Sequence, residues 1–489
     1  MPAASPVVSQ AAKNAPSLPS PAQSPASAPA SGPRIGALAW ETQVRDRPSD
    51  KGKSLGYLRA GALIRLRSPS PVGKEGCPRG DWYEIEPQGY VCTDPSNATT
   101  NLDHELLRAL QRRPDTAAAM PYLYGIVRRG SPIYRRLPTR KQAAEFEPDL
   151  ESHLGAWLTA DGENGAKFRP EYWLQGRADP PAAELLERRE TRDVPWFFQD
   201  RTPPGNLSGF PPGEALVLAR AKPHNGFAFV DTAVVDGRRY AISTQLFALP
   251  VDRLRPIEGS SFHGVEIPGD VDFPFALVRR SGPLHRLEGG KLVKERDAER
   301  RAVLKLTGKQ KKFGEHLYYE TKEHLWISDQ YASRLDPAKK MPKWGKKGER
   351  WLDVNITKQT LIAYDGTRPV FATLVSTGEA GLGDPETSRS TKRGIFRIHT
   401  KHLTTTMDSD VVGEEFELRD IPYVQYFEAG YALHAAYWHD DFGKPRSHGC
   451  INLSPLDARR LFFFTEPALP EGWHGVRKAL TGSVVFVHP

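Results

Sequence analysis

Cysteine is nearly absent: 489 residues carry three, at positions 77, 92 and 450. So sparse a set excludes a small domain stapled by disulfides. Long apolar runs are missing too. No stretch approaches the roughly 18 consecutive apolar residues that encode a membrane-crossing helix, and the mean hydropathy is −0.52. Neither sign of charge dominates, since 67 Lys and Arg face 59 Asp and Glu for a net +8. A pI near 9.2 suggests an anionic partner, such as nucleic acid, a membrane surface or an envelope polymer, without choosing among them. Aromatic residues are plentiful (10 Trp, 21 Phe, 16 Tyr) in a chain that is 39% hydrophobic, which is enough to build cores and excludes a disordered protein. Gly (42) and Pro (43) together exceed their usual share of about 12%, favouring short strands and turns over long helices. The composition predicts a mostly β, multi-domain protein with room for two to four domains.

Residues 1–34 read as an Ala/Pro/Ser-rich spacer: 24 of the first 33 residues are of those three types, and Lys13 is the one charged side chain among them. Such a segment cannot bury enough apolar surface to fold. A secretory leader needs an apolar run of about 7 to 15 residues, and Val7-Val8 is all that is found, so an export or lipid-attachment signal is expected upstream of this text. Short alternating runs then predict strands at 43–47, 56–59, 63–66, 82–86 and 90–92, a small barrel over 35–95. The order Val44-Arg-Asp-Arg-Pro48, Gly56-Tyr-Leu58, Trp82-Tyr-Glu-Ile85 and Gly89-Tyr-Val91 resembles a bacterial Src-homology-3-type domain, a family whose members bind cell-wall peptides or act as spacers.

Residues 96–120 are expected to connect modules through a helix from Asn101 to Arg112, capped by Asn101. Beyond it, Val127-Arg-Arg-Gly-Ser-Pro-Ile-Tyr-Arg-Arg-Leu137 recurs as Val278-Arg-Arg-Ser-Gly-Pro-Leu-His-Arg-Leu287, and Asp252-Arg-Leu-Arg-Pro256 as Ser333-Arg-Leu-Asp-Pro337. Two related β-rich modules, 121–271 and 272–337, follow from that echo; chance similarity among basic strands is the competing explanation. Residues 338–350 hold six Lys or Arg, with Pro342 and Gly345 expected to break any helix, and read as a basic, solvated hinge. No nucleic-acid motif accompanies them, so no nucleic acid is expected as a partner.

The chemistry is concentrated in 351–489. His434 stands 16 residues before Cys450 in the text Ser447-His448-Gly449-Cys450-Ile451-Asn452. A thiol attacks an amide as thiolate, and a neighbouring imidazole takes the proton and returns it to the leaving amine. Gly449 leaves room for an acyl group, and the amides around Gly449-Cys450 can face an oxyanion. Ser454-Pro-Leu-Asp457 reads as a capped helix start with Asp457 reaching back, placing the nucleophile just ahead of a helix whose amides favour a thiolate if they come near enough to it.

This motif, with Trp351-Leu-Asp-Val-Asn-Ile, Gln359-Thr-Leu-Ile-Ala-Tyr-Asp-Gly and Val375-Ser-Thr-Gly378, resembles the L,D-transpeptidase catalytic domain. The resemblance implies a β-sandwich-like fold in which Cys450 is the nucleophile, acylated by a peptidoglycan tetrapeptide stem with release of D-Ala, and His434 the general base and acid. His448 and Gly449 would shape the oxyanion pocket, and Ser447 and Asn452 would support the loop. Ala435-Ala436 replaces the Gly-Thr or Ser of many relatives, so a backbone carbonyl must orient the imidazole. No cofactor or metal is implied. His399 and His402, three apart on a strand, face opposite sides. Tyr437 and Trp438 are either packing or a substrate platform, and His439 with Asp440 and Asp441 reads as a solvated loop, with contact to substrate as the alternative.

Partners are then peptidoglycan stem peptides and anionic envelope polymers, and the location the cell envelope or periplasm. Two alternatives share the same residues: an L,D-carboxypeptidase or endopeptidase using water as acceptor, and an idle wall-binding scaffold. The two remaining thiols, Cys77 and Cys92, are expected to pair in the barrel. If Pro87-Gln88-Gly89 is the hairpin turn, however, Cys92 falls opposite Glu84 and Cys77 must fold back to reach it.

Overall fold

The computed structural model describes residues 32–110, 114–159, 207, 213–409, 416–477 and 481–489, so the expected spacer lies outside the described residues except for its last three. The architecture is mostly β. Among the described residues no helix is long and apolar enough to cross a membrane.

The barrel is built from β1 (Arg34–Ala37), β2 (Thr42–Arg45), β3 (Ser54–Leu58), β4 (Leu63–Arg65), β5 (Trp82–Glu84), β6 (Tyr90–Cys92) and β7 (Ala98–Thr99). Alternation buries Ile35, Val44, Leu58, Ile85 and Val91 inside it. The β5–β6 register differs from the expectation: Cys92 lies opposite Trp82 and Glu84 opposite Tyr90. The turn begins one residue earlier, closed by Ile85 N–H on Gly89 O at 2.9 Å, because Gly89 supplies a left-handed φ of 95° at its end. Cys77 and Cys92 are bonded in this structure, with Cα atoms 5.8 Å apart.

The connector helix is shorter than its hydrophobic pattern suggests. α1 runs Glu105–Ala109, and its cap is His104, whose ring accepts from Leu106 N–H. Asn101 instead spends its side chain on the N–H of Asp103 at 3.0 Å, the local turn that competes with helix for this residue type.

The internal echo corresponds to one topology written twice. The first copy has β8 (Leu123–Val127), β9 (Ser131–Tyr134), β10 (Val217–Ala221), β11 (Gly226–Val235), β12 (Arg238–Ser243), β13 (Ala248–Pro250) and β14 (Leu254–Ile257). After β15 (Val265–Glu266), the second has β16 (Phe275–Val278), β17 (Gly282–Glu288), β18 (Lys291–Ala298), β19 (Val303–Phe313), β20 (His316–Thr321), β21 (Trp326–Ser328) and β22 (Ala332–Leu335). The strands connect as β10-β9-β13-β12-β11-β8-β14 in one and β18-β17-β21-β20-β19-β16-β22 in the other. The copies are not superposable in register at the end: Leu254 lies opposite Val127, whereas Leu335 lies opposite Phe275. The first copy also carries, between β9 and β10, an insertion with helices α2 (Arg140–Phe146) and α3 (Leu150–Thr159).

The basic stretch 338–350 is not a bare hinge. Pro342 serves as N-cap to a one-turn helix, α4 (Lys343–Lys346), a position that needs no N–H from proline. Trp344 packs edge-on against Trp351 at 6.2 Å, which draws the segment onto the C-terminal domain.

That domain has two sheets. β23 (Arg350–Asn355), β24 (Thr360–Asp365), β25 (Arg368–Leu374), β26 (Gly394–Arg397) and β32 (Val484–His488) form one in the order β15-β25-β24-β23-β32-β26, completed at its edge by the interdomain strand β15. β27 (Thr400–Ser409), β28 (Phe416–Glu428), β29 (Tyr431–Ala435), β30 (Ile451–Leu453) and β31 (Gly475–Arg477) belong to the other. A buried cluster including Leu352, Leu361, Phe371, Leu433 and Ile451 fills the space between them, closed by α5 (Pro455–Phe464). The second sheet continues outward. β31 pairs with β3 of the barrel, so closely that a Cβ on Gly56 would meet Gly475 O at 2.2 Å. Gly226 of β11 bridges to Leu418 of β28.

Candidate active site

β29 and β30 run parallel, with Leu433 opposite Ile451, His434 opposite Asn452 and Ala435 opposite Leu453. Because side chains alternate along a strand, extending this register by one residue puts Cys450, Asn452 and His434 on one face. The fifteen residues between His434 and Cys450 are thereby returned to a single point. The β30 backbone is fixed from its other side by Ser376, which exchanges hydrogen bonds with Asn452 at 2.8 and 2.9 Å.

His434 is buried, and its Nδ1 lies 3.1 Å from Ala435 O. This is the backbone contact the Ala435-Ala436 text requires. Nδ1 therefore carries the proton and Nε2 the lone pair. Burial pushes the imidazole down to about 4. The same cause pushes the Cys450 thiol up to about 11, a backbone hydrogen bond at Ala432 offsetting part of it. The thiol also donates to Gly430 O at 3.7 Å. The expected helix effect is absent, because β30 stands between Cys450 and the first turn of α5 and the dipole acts only near that turn.

The motif loop is held by its own side chains. Ser447 Oγ donates to Cys450 O at 2.5 Å and accepts from Gly449 N–H at 3.1 Å. Thr391 Oγ1 donates to Gly449 O at 2.7 Å and accepts from Gly378 N–H at 2.8 Å. Gly449 has φ 132°, and a Cβ there would meet Tyr431 Cε1 at 2.8 Å, so close approach and backbone both require glycine. His448 is exposed and meets Phe416 edge-on at 5.5 Å.

The two aromatic candidates part company. Trp438 stacks on His434 with ring centroids 5.8 Å apart. Tyr437 is buried against Tyr124 of the first repeat at 4.7 Å, a packing role in place of a substrate platform. The loop after it is solvated only in part, the Asp440 and Asp441 side chains being 45% and 40% exposed. His439 is buried and meets the Asn452 amide at 3.1 Å, while Asp440 is clasped by Arg300 and Arg301 of the second repeat and by Ser260. Sequence reasoning missed these residues because their partners lie about 140 to 180 positions away for Asp440. His402 and His399 are spent on Tyr57 OH (2.9 Å) and Thr400 Oγ1 (3.0 Å), and among the described residues no group of three His, Cys, Asp or Glu could hold a metal ion.

Residues 349–486 match the model of the YkuD family, the L,D-transpeptidase catalytic domain. This part of the chain is an L,D-transpeptidase catalytic domain. Solved structures similar to it include an Enterococcus faecium L,D-transpeptidase mutant (20% identity, 29% of this chain and 50% of that one, TM-score 0.22). Others are an L,D-transpeptidase from Stackebrandtia nassauensis (29% identity, 32% and 58%, TM-score 0.20) and one from Mycobacterium smegmatis (15% identity, 48% and 89%, TM-score 0.23). The chain spans about half the length of the first of these. No functionally curated protein is significantly similar to it in sequence. Within the L,D-transpeptidase domain, Cys450 and His434 occupy neighbouring strands of one sheet, and the repeats and barrel adjoin it from outside.

Proposed function

We propose that the protein is a cell-envelope enzyme that cross-links or remodels peptidoglycan by acyl transfer through a Cys450 thioester. The observation that carries this reading is the shared face of β29 and β30, which sets a free thiol beside an imidazole whose lone pair is on Nε2. Both groups rest neutral, so the thiol is deprotonated in the act of attack. The S–H turns from Gly430 O toward His434 Nε2, sulfur bonds to the carbonyl carbon of the stem's penultimate residue, and the proton passes to His434. Collapse breaks the amide C–N bond, His434 protonates the departing D-Ala amine, and a thioester remains. An acceptor amine then attacks the thioester, His434 takes its proton, and the sulfur leaves to be reprotonated. The Gly449 N–H being held by Ser447 Oγ, the Cys450 amide would face the developing oxyanion. Anionic envelope polymers would engage the basic modules outside the domain.

Incubation with purified disaccharide-tetrapeptide, followed by mass spectrometry, tests the proposal. A Cys450 adduct equal to the donor less D-Ala, with dimeric product, is expected. Hydrolysed tripeptide alone favours the carboxypeptidase alternative, and neither adduct nor product would sink acyl transfer.

A further inference from the structure

The strand β29 fixes where His434 starts, but not the plane of its ring. Rotation of an imidazole about its bond to the side chain is soft, and its Nδ1 contact is only to the carbonyl of the next residue. Trp438 adds a second restraint, stacked on the ring at 5.8 Å with 29° between the planes. Trp438 belongs to the loop 436–446 that leaves β29, so whatever anchors that loop decides where the indole sits. Contacts within the domain hold its backbone: Ala436 N–H meets Leu453 O and Gly443 N–H meets Val375 O, both at 2.9 Å, and Ser376 Oγ donates to Asp441 O at 3.0 Å.

A further hold comes from outside the domain, from the turn between β18 and β19 of the second repeat. Arg300 Nη1 lies 3.3 Å from Asp440 Oδ2 and its Nη2 donates to Asp440 O, while Arg301 pairs with the same carboxylate. Ser260 Oγ donates to the other carboxylate oxygen. Arg301 has φ 72°, a left-handed conformation that is uncommon for such a side chain, so the turn holds backbone strain at the residue that reaches the loop. The Arg301 guanidinium also lies over the Phe262 ring at 5.3 Å. From there the rings are continuous: Phe262 stacks on Phe442 at 6.0 Å, Phe442 meets His439 at 5.1 Å, and His439 meets Trp438 edge-on at 6.0 Å. Phe262, Phe442 and His439 are buried. The second repeat touches the loop again at Gly443, where a Cβ would meet Arg279 Cγ at 2.8 Å. We propose that the second repeat positions His434: Arg300 and Arg301 hold Asp440, and through it the loop that lays Trp438 against the imidazole. Both arginines are positioning residues, acting through packed rings. That His434 is the base rests on the acyl-transfer reading; the clasp on its loop does not.

Full-length protein carrying Arg300→Gln with Arg301→Gln tests the clasp from the repeat, and Asp440→Asn tests it from the loop. Asp440→Asn keeps the oxygen that accepts from Ser260 and turns the one facing the arginines into an amide nitrogen. With disaccharide-tetrapeptide as donor, each should lower kcat for Cys450 acylation by about fivefold or more, as a slightly misplaced base would, with KM within about twofold of the parent. Parent kcat in both overturns the proposal. Because the two changes break one contact, combining them should cost little more than the worse of them; losses that multiply overturn the pairing. Arg300→Lys with Arg301→Lys keeps both cations and should retain more kcat than the glutamine pair, and equal losses overturn the role of the charges. The ring is also read without turnover, from 15N spectra of histidine-labelled protein. The His434 and His439 signals should shift in the variants while His153, held by Asp252 in the first repeat, stays in place. Unmoved His434 signals overturn the positioning role even if a variant melts early. If the parent protein is not acylated at all, the acyl-transfer reading falls, and the spectra still decide whether the repeat sets the His434 ring.

Discussion

A thiol held at about 11 beside an imidazole held near 4 is a neutral pair across the physiological range. Alkylation of Cys450 by iodoacetamide should therefore keep accelerating with pH well past the ordinary thiol value of about 8.5, and a plateau at or below that value would contradict the burial argument. Cys450→Ala should abolish acylation and leave the melting temperature nearly unchanged, because the thiol's hydrogen bond to Gly430 O is weak and long; retained turnover would remove Cys450 as nucleophile. At this scale the sequence pointed to Cys450 and His434 as the proposed reacting pair and to a backbone contact at His434. It could not show that His439 is buried against Asn452, or that Asp440 pairs with arginines of the second repeat.

At the scale of elements, the start of α5 does two jobs. Ser454 caps the helix by accepting from Asp457 N–H at 3.2 Å, as its text implies. Asp457 does not reach back to the cap. Its carboxylate accepts from His263 Nδ1 (2.8 Å), Gly264 N–H (3.0 Å) and Thr373 Oγ1, so it pins the strap that carries β15 onto the domain. Asp457→Ala should cost about 3–5 kcal/mol, the usual result of removing one member of a buried charged pair, measured by denaturant unfolding; a loss below about 1 kcal/mol would show that the strap is held by β15 alone. The hydrogen bond to Asp457 raises the His263 pKa. A raised histidine stabilises fully below its unfolded value of about 6.5, and that contribution fades as pH rises through the folded value. In Asp457→Asn the alkaline fade should be reduced.

At the scale of the whole molecule, Asp420 of β28 joins three modules. It accepts from Arg59 of the barrel, Thr244 of the first repeat (2.6 Å) and Thr404 of β27 (2.7 Å). The C-terminal domain that carries Asp420 also holds histidines depressed by burial. His402, His434 and His439 are each pushed down by burial to about 4, and His474 falls well below its usual value. For a histidine depressed on folding, the unfolded chain takes protons the folded one refuses, so stability is lost as pH falls from about 6.5 toward 4. Each of the three should contribute on the order of 3 kcal/mol to that loss. Melting temperature should fall steeply over this window, and a flat profile from pH 7 to 4 would refute the burial of these rings. The barrel adds a separate test. Denatured, unreduced protein should yield one alkylatable thiol, and reduction of the bridge, which closes a 15-residue separation, should cost roughly 3 kcal/mol by the chain-entropy model. Three alkylatable thiols would contradict the bond.

By itself the sequence determined whatever is local or periodic. Alternation wrote the β23–β24 hairpin, Ser454-Pro455 wrote the start of α5, and the echo of 127–137 in 278–287 wrote a repeated topology before any strand was paired. It also carried the proposed nucleophile and base, Cys450 and His434, because their spacing and neighbours are a property of the text. Tertiary structure decided what depends on distant surroundings. Tyr437 became core when the first repeat covered it, Asp440 became an ion-pair centre when the second repeat's arginines reached it, and the basic stretch before β23 became a helix turn once Trp344 found Trp351. Burial is a sum over residues far apart in the chain, and desolvation rather than residue identity sets the charge state of Cys450, His434 and His439.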